Sequence, residues 1–214
     1  MGSCSCITTL LATLSAMHEA IFHPLSRQAI TWASAVKEPI LLSTKQCLET
    51  RDVLRAKIDS LTIRLMRQGL KEDRIRLLDA VLSEIGSNAF DHNIGQWRDV
   101  PGVFFGIEET EDGVLCVLAD RGQGLLTTLR RVRSELTNDA EALRVAFTER
   151  LSGRAPEQRG NGLKFVRSIL LQDGIDLWYG SGNAAYTVVR REENWMEADP
   201  PILGCCAILF LRNP

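Results

Sequence analysis

The chain lacks any long apolar run: no window approaches the roughly 18–20 consecutive apolar residues that a membrane-spanning helix needs. Its most apolar stretch, "ILGCCAILFL" at 202–211, is about half that length and suits a buried strand. Net charge is also scarce. The 25 Lys and Arg residues face 27 Asp and Glu, leaving −2, whereas a dedicated nucleic-acid binder carries a strong basic excess. The local cluster Arg130, Arg131 and Arg133 then reads as a solvated helix face. No C-x-x-C pair occurs among the six cysteines at 4, 6, 47, 116, 205 and 206, which argues against a zinc site. Cys116 and Cys206 lie in apolar runs, where free cysteine behaves as a small hydrophobe. A reduced, intracellular protein with a cytoplasmic location is therefore expected. The start "MGSCSC" lacks the positive region of a secretory signal. It also departs from the N-terminal lipidation pattern, with Cys6 where Ser or Thr is expected. Internal repeats and low-complexity tracts are absent.

What is present is an ordinary globular composition. The 214 residues are 45% hydrophobic and 24% charged, enough for a real core in one domain plus an appendage. Residues 7–36 carry apolar positions at helical spacing (Leu10, Leu11, Leu14, Met17, Ile21), interrupted by Pro24. Pro39 marks a boundary, and "ILL" at 40–42 suits a short strand. Residues 45–68 read as a charged amphipathic helix stopped by Gly69, and Lys71–Glu72–Asp73 leads into another. From residue 100, "GVFFGIEET" and "VLCVLADRG" are β-rich runs around "EDG", a hairpin signal. Residues 125–159 read as a polar, partly helical insertion. "GNGLKFVRSIL" opens a helix directly after glycines. "IDLWYG" and "AAYTVVRRE" are strands around a turn "SGN", and "GCCAILFLR" is a last strand. Helices first, then mostly antiparallel strands with helices on one side, indicate an α+β fold, a two-layer α/β sandwich on a mixed, mostly antiparallel sheet.

Three short patterns carry chemistry. In "LSEIGSNAFDHN" at 82–93, Glu84, Asn88 and His92 recur every four residues, about 40° apart per step, on the flank of an otherwise apolar helix. Taken alone, that flank reads as solvated decoration. Asp120 ends an apolar strand and precedes Gly122 and Gly124, a turn that lets a ligand approach the backbone, although Asp and Gly also end strands for no further reason. Gly160-Asn161-Gly162 opens a helix whose free N–H groups and positive dipole end suit an anion such as a phosphate chain. The same pattern also serves as simple punctuation.

In this order, E-x-x-x-N, D-x-G-x-G and G-x-G-L resemble the GHKL ATPase and kinase superfamily with its Bergerat nucleotide-binding fold. The resemblance covers about residues 37–214, leaving 1–36 as an N-terminal helical extension. Within the superfamily the 45–68 helix, "GLKEDRI" and "SEIGSNAFDHN" look most like the anti-sigma-factor serine kinases and other stand-alone bacterial ATPases. The resemblance implies ATP and Mg²⁺ as cofactors. It gives Glu84 the part of general base toward a water or a protein hydroxyl, and makes Asn88 an oxygen ligand to Mg²⁺. It brings His92 to a phosphate, Asp120 to the adenine amino group, and Gly122 and Gly124 against the base. Gly160, Asn161 and Gly162, with Leu163 and Lys164 following, would cradle the phosphates, and residues about 125–159 would form a mobile lid.

Three departures stand out. Lys164 occupies the place of the third glycine of G-x-G-L-G-L, either near the phosphates or facing solvent. Gly204-Cys205 replaces the usual Gly-Thr beside the adenine-binding carboxylate, and a thiol hydrogen-bonds more weakly than a hydroxyl. "HEAIFHPL" at 18–25 superficially suggests a phosphoacceptor helix through His18 or His23, but its spacing is one residue too long, and a packing helix is the alternative. The expected function is an ATP-binding signalling protein, a Mg-ATP-dependent kinase or ATPase acting on a separate regulatory protein, such as one phosphorylated on serine or threonine. The alternatives are a histidine kinase catalytic fragment and a non-enzymatic, nucleotide-controlled binding module. Gated ATPases of the gyrase and MutL type add a transducer domain for which this length leaves no room. Relatives of the stand-alone type often form dimers, and the 7–36 helix offers a candidate apolar surface for one.

Overall fold

The computed structural model describes residues 17–36, 46–149 and 162–213. The strand expected at 40–42, the helical positions 7–16 and the end of the expected lid, 150–159, lie outside the described residues.

Residues 17–22 are helical. The chain breaks at His23 and resumes as α1 (Pro24–Ser34), with proline in its first turn and the His23 Nδ1 accepting from Leu25 N at 3.2 Å. Next come β1 (Cys47–Leu48) and α2 (Arg51–Arg67). Thr50 caps α2, and Leu54, Ile58, Leu61 and Leu65 recur at helical spacing to form its buried stripe. Gly69 ends it in the left-handed region (φ 83°), with Leu70 N bonded to Leu65 O and Gly69 N to Met66 O. That arrangement is a Schellman motif, and no residue with a Cβ enters it as readily as glycine. Helix α3 (Glu72–Asp91) places its acidic residues Glu72 and Asp73 at the positive end and buries Ile75, Leu78, Val81, Leu82 and Ile85. The helices α2 and α3 approach closely at Gly86, where any Cβ would overlap Leu54.

Strands β2 (Val103–Thr110) and β3 (Gly113–Asp120) form the expected hairpin, closed by Glu111 and Asp112. Two helices follow, α4 (Gly124–Leu129) and α5 (Asp139–Thr148), then α6 (Gly162–Asp173). The described chain ends in β4 (Asp176–Val189) and β5 (Glu192–Arg212). The sheet order is β1-β2-β3-β5-β4, and every pairing among these strands is antiparallel.

The architecture is α+β, with helices stacked on a five-stranded sheet. Helices α2, α3, α5 and α6 bury their stripes against one face, which receives Val114, Cys116 and Leu118 of β3. Leu115, Val117 and Ala119 of the same strand point the opposite way, as the two-residue period of a strand requires. That second face is covered by α1 and residues 17–22 through Met17, Ala20, Ala29, Trp32 and Ala33. The described part of the extension thus buries these residues within the chain and leaves Phe22 and Val36 exposed.

The described part of the 125–159 segment is partly helical and contributes to the core. Leu143 and Phe147 of α5 belong to the main core. The Phe147 ring lies 5.2 Å from Tyr179 and 4.5 Å from Tyr186 by centroids.

The β4–β5 region departs most from expectation. "SGN" is a bend inside β4 rather than a turn between strands. Gly182 is left-handed (φ 59°), and the register slips on both sides of it. The slip changes which parity faces the helices: Leu177 and Tyr179 before it, Ala184, Tyr186 and Val188 after it. The reversal itself falls at Arg190 and Arg191, both at positive φ (50° and 72°), positions where Asn-Gly is the usual choice. Arg190 N reaches Asp176 Oδ1 at 2.8 Å. A straight strand would hold those residues about 45 Å apart, so the hairpin doubles back on itself. Asp176, fully buried, fastens the fold-back by pairing with Arg212 as well.

Candidate functional site

The three sequence patterns converge on one cleft of about 830 Å³, its open mouth included, at the helical face of the sheet. Asp120 ends β3 at its floor and is 2% exposed. Ile85, Ala89, Leu118, Leu125, Leu163 and Ala207 supply apolar walls. Asn88 and His92 stand on the α3 wall, and Gly162 opens α6 opposite them.

Glu84 lies one turn before Asn88 and outside the lining of the cleft proper. It is nonetheless drawn into the same corner, because a Cβ on Gly162 would overlap the Glu84 carboxylate and sit 3.1 Å from Asn88 Nδ2. Glycine at 162 thus lets the first turn of α6 meet the polar edge of α3. Residues 84 to 93 span about 13 Å of helical rise. The edge therefore runs from the Asp120 end of the cleft to the α6 N-terminus. Gly160 and Asn161 lie outside the described residues. Leu163 lines the cleft, whereas Lys164 is exposed and does not. His92 caps α3, and its carbonyl accepts from Gln123 Nε2 at 2.8 Å.

The floor is held by a residue that the sequence patterns passed over. Asn93 is buried just beyond the end of α3. Its Nδ2 donates to Ala89 O at 2.8 Å and to Asp120 Oδ1 at 3.1 Å, while its Oδ1 accepts from Gln123 N at 3.0 Å. One amide therefore ties α3, the carboxylate and the loop together. Gly122 is required for this reason first: a Cβ there would overlap the Asn93 amide. Its own N–H donates to Asp120 Oδ1 at 2.9 Å. Gly124 is left-handed (φ 74°) and starts α4, and a Cβ on it would lie 3.2 Å from Ser181 Oγ.

Burial pushes Asp120 up to about 7, against the pull of its donors Gly122 N, Cys205 N and Asn93 Nδ2. Its strand neighbour Cys205 also lines the cleft, and burial, then the nearby Asp120 charge, pushes that thiol up to about 12. The protonated thiol donates to Ser181 Oγ at 3.7 Å. Ser181 in turn donates to Gly204 O at 2.9 Å and accepts from Leu125 N at 3.0 Å. Burial raises the Tyr179 phenol well above its ordinary range. Tyr179 and Ser181 carry no signal in the sequence, because "WYGSGN" reads as strand and turn. Asn93 did carry a signal, an amide placed where a helix ends.

The chemistry available is a buried hydrogen-bond acceptor in an apolar slot, followed by an amide, a carboxylate and a helix N-terminus. Among the described residues no cluster of three or more His, Cys, Asp or Glu side chains is arranged to hold a metal. No described helix is long and apolar enough to cross a membrane. His18 stacks on Phe22 at 4.4 Å and His23 caps α1. Their segment packs on the sheet face opposite α3 and α6.

No protein-family model and no curated protein matches this chain. Among solved structures, the 43K ATPase domain of Thermus thermophilus gyrase B, in complex with an aminocoumarin, is similar over 63% of this chain and 33% of that one. The identity is 16% and the TM-score 0.34. This chain thus spans about a third of that structure, and a likeness of this size is no argument about activity, which rests on the cleft itself.

Proposed function

We propose that the cleft binds ATP together with Mg²⁺, and that the protein is an ATP-dependent kinase or ATPase of the GHKL type. It would act on a separate regulatory protein in the cytoplasm, through a serine or threonine hydroxyl or through water. The observation that carries this reading is the placement of Asp120. A buried carboxylate closes the apolar end of the cleft, and the α3 polar edge leads from it to the α6 N-terminus.

The residues fit the group. The walls formed by Ile85, Ala89 and Leu125 suit a flat heteroaromatic base, and Asp120 accepts from an exocyclic amino group. Gly122 and Gly124 keep the loop close to it, and Cys205 borders it on β5. The opening turn of α6, at Gly162 and Leu163, suits a phosphate chain. Gly160 and Asn161 extend that cradle by resemblance. Asn88 offers one amide oxygen toward Mg²⁺, which takes most of its ligands from phosphate and water. Bound there, Mg²⁺ would neutralise phosphate charge. His92 contributes a donor between base and phosphates. Lys164 adds exposed positive charge near the α6 N-terminus. Glu84, at the far end of the edge, holds or removes the proton of the attacking hydroxyl.

Calorimetric titration with Mg-ATP tests the binding step, with micromolar affinity expected for the wild type. Asp120→Asn should weaken it at least tenfold, since its NH₂ group cannot accept from an amino group. Glu84→Gln should bind normally and lose a hundredfold or more in phosphoryl transfer or hydrolysis. Absence of binding by the wild type, or unchanged binding by Asp120→Asn, refutes the proposal.

A further inference from the structure

The residue between Asp120 and Gly122 has no part in the chemistry above. Arg121 is the one wholly buried Lys or Arg among the described residues. A buried guanidinium is costly unless its N–H groups are paired, and this one has partners on two elements. Its Nε donates to Asp99 Oδ1 at 2.9 Å, and its Nη2 to the same carboxylate and to Ala35 O at 2.8 Å. Its Nη1 donates to Trp32 O, and its carbon lies 5.8 Å from the centre of the Trp32 ring. Trp32 and Ala35 are at the C-terminal end of α1, where carbonyls lack helical partners and the dipole is negative. Arg121 therefore caps α1 from inside the loop that carries Asp120.

We infer that Arg121 is a positioning residue that couples docking of α1 to the nucleotide cleft, making residues 24–35 a latch on the 120–124 loop. The inference rests on the nucleotide reading of that loop. If α1 lifts from the sheet, Arg121 loses two carbonyl partners and the Trp32 ring and keeps only its pair with Asp99. The loop then loses its tie to α1 and is held on that side through Asp99 alone. Asn93 fastens the same loop from the other side, so its position reflects both α3 and α1. Coupling of this kind is reciprocal: whatever α1 docking does for nucleotide affinity, nucleotide must do for α1 docking. A partner that draws α1 away would then release nucleotide without touching the cleft.

Amide hydrogen exchange on the full chain, with and without saturating Mg-ATP, tests the latch together with calorimetry. In the wild type, nucleotide should slow exchange across 24–36 several-fold. Arg121→Met should weaken Mg-ATP binding about tenfold and abolish that protection. Arg121→Lys should fall between, because one ammonium cannot serve Asp99 and both carbonyls. A merely structural arginine would lower the unfolding midpoint and leave the nucleotide-dependent protection of α1 intact. The latch is overturned if wild-type protein binds nucleotide with unchanged exchange at 24–36, or if folded Arg121→Met keeps its affinity within twofold. A nucleotide-free arm separates this failure from failure of the proposed function. Trp32→Ala should speed exchange at 120–124 with no nucleotide present, and unchanged exchange there overturns the latch even if the cleft binds something else.

Discussion

Lowering the pH from 8.5 to 5.5 protonates Asp120 in the nucleotide-free protein, because burial has raised it to about 7. Recognition of an amino group needs the ionised carboxylate, since the protonated form sets an O–H against an N–H. The complex therefore holds Asp120 at a lower pKa than the free protein does. Affinity is full above pH 7 and falls as the pH drops through that value. At pH 5.5, about 1.5 units below 7, the loss is roughly 30-fold, or about 2 kcal/mol. The phosphate chain has its own ionisation near 6, so the quantity to follow is the ratio of wild-type to Asp120→Asn affinity, which removes that shared part. Calorimetry in buffers of different ionisation heat should also find about half a proton released per nucleotide at pH 7. Folding stability moves with the same group. A carboxyl raised from about 3.9 to about 7 stabilises the fold most below pH 4 and loses that contribution as the pH rises through 7, about 4 kcal/mol in all. Denaturant unfolding of Asp120→Asn should accordingly show a flatter pH profile and a gain over wild type at pH 8. An affinity ratio that varies less than threefold between pH 5.5 and 8.5 would refute the reasoning.

Phe147→Ala should cost about 3–5 kcal/mol in denaturant unfolding, since its ring joins α5 to Tyr179 and Tyr186 in the main core; a cost below 1 kcal/mol would show that α5 is a peripheral flap. The glycines of the cleft should separate by what a methyl group meets. Gly204→Ala presses on the Asp120 backbone and on Oδ1 at 2.5 Å and should prevent stable folding, as soluble yield and circular dichroism would report. Gly122→Ala displaces only the Asn93 amide and should cost about 1–3 kcal/mol. Gly162→Ala meets the movable end of Glu84, so it should leave the unfolding midpoint nearly unchanged while reducing turnover. Asn93→Ala should loosen the floor, with faster amide exchange at Gly122 and Gln123 than at residues of β3.

The parts of the fold that were legible in the sequence are those set by local patterns. The stripe Leu54–Ile58–Leu61–Leu65 names a helix and its buried face. "EDG" between apolar runs names a hairpin, and Asp120 directly after "VLCVLA" is a strand-end carboxylate by pattern alone. The rest depends on contacts distant in sequence. "EENWMEADPP" at 192–201 reads as polar loop, yet it pairs with β4 because Gly182 takes a left-handed bend and Asp176 anchors the returning tip. Arg190-Arg191 lacks the Asn-Gly signature of its turn, so "SGN" resembles the reversal more closely than the true one does. Helix α5 reads as polar because its three-dimensional neighbours Tyr179 and Tyr186 come from a strand some 30 or more residues later. Arg121 has the look of an ordinary variable position between Asp and Gly. Its role depends on α1, some 90 residues earlier, lying against the other side of the sheet.

The doubled-back hairpin also bears on how this protein can meet its neighbours. A sheet normally presents two rows of unpaired backbone groups, each a template on which another chain can add a strand. Here one margin consists of β1, which is two residues long. Along the other, the tip that follows β4 returns to Asp176, the first residue of the same strand. Residues 192–201 of β5, by contrast, pair with β4 on one side only, and Pro200 and Pro201 remove two donors from the end of that row. A strand added along that row would pair with the returning arm alone and leave the β3 and 205–212 pairings beneath the cleft as they are.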